Sequence, residues 1–225
     1  MKTVVNINGD KEYLYPKKVY SYRTVQQSIQ DLLNREGFEE LLFKDIAQSP
    51  DSFLMDLYDG TLYKTFLDDH ECLFFQDKRN IGLMLNFDFF NPFKNSQYSL
   101  GVLYAVIVNL PRDVRFLWEN VIVFGIIPGP KEPKKSINSF LQPLVDNLLT
   151  AWSPGIFLKE KDGQQYLYKV AVICVASDLP ALRKCCGFLS HNAKQGMCDF
   201  SLQLYSFLVV KYIYGFKVIL LNFMI

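Results

Sequence analysis

Apolar positions in this chain follow two rhythms, and the change from one to the other falls near residue 137. Before it, "IGLMLNFDFF", "SLGVLYAVIVNLP" and "ENVIVFGIIPGP" are apolar runs separated by short polar breaks, the second closed by Pro111 and the third by Gly129 and Pro130. Runs of this length bounded by Pro and Gly predict three strands, and their short connections predict an antiparallel meander. After it, Ile137, Phe140, Leu141, Leu144, Val145, Leu148, Leu149 and Trp152 mark one face of an amphipathic helix. Ser136 is placed to cap that helix, and Pro143, which has no N–H to donate, breaks one bond of its ladder.

A fourth apolar run, "QYLYKVAVICVAS", follows, with "GIFLKEKDGQQ" ahead of it as a candidate hairpin. It drives straight into Asp178, and "ALRKCCGFL" then reads as a short helix. Two readings of that acid stand. Ser177 or Asp178 is a good helix N-cap, and a carboxylate at the C-terminal end of a central strand is also a common place to hold a metal ion.

Strand, strand, strand, helix, strand, helix is the order of a ribonuclease-H-like mixed sheet, in which the first and fourth strands are neighbours. Asp88, late in the first strand, then lies beside Asp178. Such carboxylates can hold two divalent ions about 3.5–4 Å apart, and hard oxygen ligands favour Mg²⁺ or Mn²⁺.

Residues 1–80 keep no steady period and read as a mostly helical N-terminal arm. Val25, Ile29, Leu32 and Leu33 give one helix, and Gly37 is its expected stop. The division expected is therefore an arm over 1–80, a core over 81–198 and an atypical apolar tail over 199–225. Composition changes this picture little: of 225 residues half are apolar and 15% aromatic, which excludes a disordered chain. Lys+Arg 24 against Asp+Glu 23 leaves a net charge of +1, so a nucleic-acid role must rest on local patches. Five cysteines, an odd number, and an N-terminus without a signal-like apolar core predict a chain kept reduced inside the cell.

The blocks "FDFFNPF", "GIIPGPKEP" and "SDLPA…GFLSHNA" occur in an order and spacing that resemble the transposases of CACTA-type (En/Spm-like) DNA transposons in their fungal form. The resemblance covers residues 81 to about 196, with a fainter lead-in through "YPKKVYSYRTVQQSIQDLL" and "LYDGTLYKTF". It implies a DDE-type core that cuts and joins DNA at transposon ends in the nucleus, with DNA as its partner; whether a second copy of the chain joins it stays open. Asp88 matches the first catalytic aspartate and Asp178 the second. The third acid of that family, a glutamate, has no counterpart, because no Glu follows Cys198. The resemblance thus implies a C-terminally incomplete core, inactive as it stands; a non-catalytic DNA- or protein-binding remnant and a tail-anchored membrane protein are the alternative readings.

The tail "FSLQLYSFLVVKYIYGFKVILLNFMI" has only Lys211 and Lys217 as charges. Three readings remain: a membrane span burdened by Lys211, a further strand and edge helix, or sequence foreign to the family. Lys131, Lys134 and Lys135 precede the amphipathic helix, and Arg183 and Lys184 follow Asp178; all five are candidates to meet DNA phosphates. His191 and Cys198 are too few for a zinc site, and His70, Glu71 and Cys72 read as ordinary surface and core residues. Phe87, Phe89, Phe90 and Phe93 read as core, with any exposed member free to stack on a base.

Overall fold

A computed structural model describes residues 2–6, 12–16, 19–45, 54–94, 98–133 and 137–177. In chain order the strands and α-helices are β1 (Lys2–Asn6), β2 (Glu12–Pro16), β3 (Ser21–Tyr22), α1 (Val25–Leu33), α2 (Phe38–Leu42), α3 (Thr61–Thr65), β4 (Asn80–Phe90), β5 (Leu100–Ile107), α4 (Arg112–Arg115), β6 (Ile122–Ile127), α5 (Asn138–Trp152), β7 (Ile156–Lys159) and β8 (Gln165–Val175). Short 3₁₀ turns sit at Leu57–Asp59, Phe74–Gln76 and Trp118–Asn120.

The main sheet has six strands in the order β3-β6-β5-β4-β8-β7. The meander β4-β5-β6 is antiparallel throughout, as its short connections predict. Crossover through α5 then brings β8 back parallel to β4, the pairing that needs a long connection. The expected hairpin is β7-β8, antiparallel, turned by the polar stretch that holds Gly163 at φ 83°. Beyond the end of β5 the side chain of Asn109 extends the β4–β5 ladder: its Oδ1 accepts from the Gly82 N–H at 2.8 Å and its amide donates to the Asn80 carbonyl at 2.9 Å.

Each face of the sheet buries a different cluster. On one, Ile81, Leu83 and Phe87 of β4 pack with Val25, Ile29 and Leu33 of α1 and with Leu144 and Leu148 of α5. On the other, Ala171 and Ile173 of β8 and Val108 meet Phe66 and Phe74, with Leu57, Tyr63, Phe75, Met84 and Trp152 around them. A Cβ on Gly82 would lie 2.5 Å from Val108, 2.8 Å from Phe75 and 2.9 Å from Ile173, so only glycine lets that cluster close over β4.

The described part of residues 1–80 is less helical than the sequence suggests. β1 and β2 form their own hairpin in the register Lys2↔Pro16 to Asn6↔Glu12. β3 adds two residues to the edge of the main sheet, Ser21↔Ile126 and Tyr22↔Gly125. α1 is where its periodicity puts it, opened by a capping box in which Thr24 Oγ1 accepts from the Gln27 N–H at 3.1 Å. Gly37, at φ 79°, separates it from α2. Ion pairs with elements distant in sequence tie the segment 54–79 down, among them Lys169 with Asp68 and Asp69. Arg115, 1% exposed, is held by Asp56, and Glu160, 8% exposed, by Arg79.

Within the described residues no helix is long and apolar enough to cross a membrane. The cap expected at Ser136, the helix expected after Asp178 and the apolar tail lie outside the described residues.

Candidate functional site

Side chains alternate across a strand. The odd residues of β4, from Ile81 to Phe87, enter the main core, so Gly82, Met84, Asn86 and Asp88 share the opposite face. Near Gly82 that face is sealed by the second cluster. Toward the C-terminal end of β4 it opens, and Asp88 is exposed there.

β5 supplies the neighbours: Val102 stands across from Asp88, Tyr104 from Asn86 and Val106 from Met84. Burial, and then the negative charge of Asp88, push the Tyr104 hydroxyl above its ordinary range. The hydroxyl therefore stays protonated as a donor. Beside these residues opens a cavity of about 250 Å³ lined by Met84, Asn86, Tyr104, Val106, Phe116, Trp118 and Val121. Trp118 is 89% exposed and Phe116 59%. A sequence reading would count both as core.

On the other side of β4, the β8 pairing carries an irregularity. Leu83 pairs with Val172 but Met84 with Cys174, so Ile173 is an extra residue, a bulge of a kind rare between parallel strands. Its effect is to reverse the alternation: Val170 and Val172 enter the main core before it, and after it Val175 does. Past Val175 the ladder continues once, with Ala176 N–H donating to the Leu85 carbonyl at 2.8 Å. Next, the Phe87 N–H donates to Ser177 Oγ at 2.8 Å, so a side chain stands where a strand carbonyl would. Ser177 is the last described residue, one peptide bond from Asp178.

Of the sequence-derived candidates, Asp88 and Lys131 are described, both exposed. β6 ends at Ile127 opposite Gly101, which pairs with Phe89. The chain therefore leaves the sheet toward Lys131 at the end where Asp88 lies, and Ser99 N–H holds that turn through the Pro130 carbonyl at 2.9 Å. Asp178, Lys134, Lys135, Arg183, Lys184, His191 and Cys198 lie outside the described residues. Among the described residues no three His, Cys, Asp or Glu side chains come together as a metal-binding group.

Phe87 and Phe89 pack edge to face at 4.8 Å on the core side, while Phe90 and Phe93 are exposed at 45% and 60%. His70 and Cys72 sit in a turn folded around Asp68, whose Oδ1 accepts both their backbone N–H groups at 2.9 Å. Their side chains are exposed, so "ordinary surface" describes them.

Sequence reasoning missed Asn86, Tyr104, Phe116 and Trp118. The first was accessible from period-two counting back from Asp88. The others depend on the turn of 108–121, which has no rhythm of its own. A family model for Transposase family tnp2 matches residues 51–214. No curated protein and no solved structure matches the chain.

Proposed function

The chain belongs to Transposase family tnp2, and from that premise we propose that it carries a ribonuclease-H-like, DDE-type core in which Asp88 and Asp178 bind divalent metal at transposon-end DNA. A transposase-like function follows from the family itself. The CACTA-type assignment rests on the three sequence blocks alone.

The observation that carries the site is the pairing of β4 with β8. Continued three residues beyond Leu85↔Val175, the same register would set position 178 across from Asp88. Without the extra residue Ile173 the count would fall one residue out, and Asp178 would belong to the opposite face. The order β6-β5-β4-β8, with β6-β5 and β5-β4 antiparallel and β4 parallel to β8, is also the one expected of a ribonuclease-H-like sheet.

Asp88 suits a hard cation, being an exposed carboxylate at the C-terminal end of a central strand. Two divalent ions there would activate the attacking oxygen and stabilise the leaving oxygen of a phosphodiester. The chain's own part is to hold the carboxylates apart from the core. Lys131, with Lys134, Lys135, Arg183 and Lys184, would meet phosphates and give binding that weakens with salt.

The 225-residue chain offers no glutamate after Glu160, so by itself it supplies two of the three acids. We therefore expect metal-dependent DNA binding without strand cleavage, and a nuclear site of action. The test is binding of a short DNA duplex in Mn²⁺ and in EDTA. Mn²⁺ should tighten binding of the wild-type chain and leave Asp88→Asn unaffected. An equal gain in the variant would remove Asp88 from the site.

A further inference from the structure

The cavity beside Asp88 is unlike the rest of the sheet surface. Its walls are apolar and partly aromatic, but two groups on neighbouring strands can form hydrogen bonds: the Asn86 amide and the Tyr104 hydroxyl, side by side in the β4–β5 register. Asn86 makes no side-chain hydrogen bond to another described residue. The Tyr104 hydroxyl offers a donor, and the amide offers both a donor and an acceptor. Trp118 projects at the rim with almost all of its surface in solvent. Leaving a large aromatic side chain so exposed forgoes burial that the nearby core could have supplied.

A flat ligand with apolar faces and a hydrogen-bonding edge matches this arrangement, and a nucleobase is that ligand. Its faces would lie against Phe116 and Trp118 and its edge on Asn86 and Tyr104. The position along the strand agrees: Asn86 is two residues from Asp88 on the same face, a separation of about 6.6 Å at the usual rise, which is the scale of one nucleotide step.

We propose that the cavity formed by Asn86, Tyr104, Phe116 and Trp118 binds a single unstacked base of the DNA strand whose phosphate lies at Asp88. The proposal rests on the reading of Asp88 as part of a DNA site and adds to it a base-binding subsite. Stacking tolerates any base, so the cavity favours unpaired over paired DNA more than one sequence over another.

The chain holds two tryptophans, and Trp152 is packed against Phe66 and Phe74, so it serves as an internal reference for Trp118 fluorescence. The probe is a short oligothymidylate in EDTA, compared with an abasic strand of equal length and charge. Oligothymidylate should quench Trp118 and bind more tightly than the abasic strand. Trp118→Ala and Asn86→Ala, checked for folding by circular dichroism, should each weaken oligothymidylate binding by roughly 5- to 100-fold and leave abasic binding unchanged. Equal affinity for the two strands, or a folded Trp118→Ala that binds as well as wild type, would overturn the proposal. So would a change in Trp118 emission on dilution with no DNA present, because the face would then join two copies of the chain.

The two readings fail separately. Base-dependent binding that persists in Asp88→Asn while Mn²⁺ has no effect keeps the pocket and removes the metal site. A gain with Mn²⁺ and no preference for bases does the reverse.

Discussion

Replacing Arg115 with methionine should destabilise the fold more than any other single charge deletion among the described residues. The guanidinium is 1% exposed and every arm is used. Nη1 and Nη2 reach the two oxygens of Asp56 at 2.8 and 2.9 Å, Nη2 reaches the Tyr58 hydroxyl at 2.5 Å, and Nε and Nη2 reach the Leu110 carbonyl at 3.1 and 3.0 Å. Methionine fills much of the same space, so the loss is electrostatic. The Leu110 carbonyl keeps the Tyr58 hydroxyl as a donor at 2.6 Å, and Asp56 keeps only backbone donors, the Leu57 N–H at 2.7 Å and the Asp59 N–H of its capping box. The Asp56 side chain, 12% exposed, is then an ion without its cation. Breaking such a pair from one side costs about 3–5 kcal/mol.

Urea unfolding followed by far-ultraviolet circular dichroism measures that cost. With a slope of about 2 kcal/mol/M the midpoint should fall by roughly 1.5–2.5 M. Asp56→Asn should also be costly, and the double variant should cost less than the sum by about 0.5–3 kcal/mol, since each single change strands the other member of the pair. A loss below about 1 kcal/mol for Arg115→Met, the size of an exposed pair, would refute the reasoning.

Gly82→Ala should cost about 1–3 kcal/mol, because the new Cβ meets Val108, Phe75 and Ile173 inside normal contact distance; an unchanged urea midpoint would mean the second cluster is loosely packed. Burial raises the carboxyls of Asp68 and Asp69, but the Lys169 ammonium and backbone donors outweigh it, so both lie below their ordinary 3.8. Their contribution is complete above that value and lost as pH falls through the depressed folded values; Lys169→Met should lower stability at neutral pH and flatten its fall below about pH 4, and acid limbs of equal slope would contradict this. Ser177→Ala removes the acceptor of the Phe87 N–H, so exchange of that amide hydrogen should accelerate several-fold, whereas unchanged protection would mean that β4 is paired there by other means.

The sequence carried the sheet wherever rhythm and punctuation coincide. β4, β5 and β6 have alternation and end near Pro or Gly, and α5 repeats its apolar face for fifteen residues, so all four were legible. Where an element exists only through its partner, the chain gave no signal. β3 is two residues long and forms because β6 offers an unpaired edge. Arg115 reads as a surface residue in "RDVRFLWEN", and its burial depends on Asp56, 59 residues away.

Trp118 shows the converse. Its size predicts burial, but the turn of 118–120 holds it outward. At the candidate site Asp88 was legible as the last acid of a strand. The bulge at Ile173, on which the partner's side depends, has neither Gly nor Pro to mark it, because a bulge is decided by how two strands fit rather than by one strand's composition.

Calorimetric titration of Mn²⁺ into the intact chain and into an Asp88→Asn, Asp178→Asn double variant tests the central claim most directly. Binding to the wild-type chain should disappear in the variant, with both proteins equally folded by circular dichroism. Absence of binding to the folded wild-type chain, or equal binding to both, would show that the two aspartates do not share a metal site.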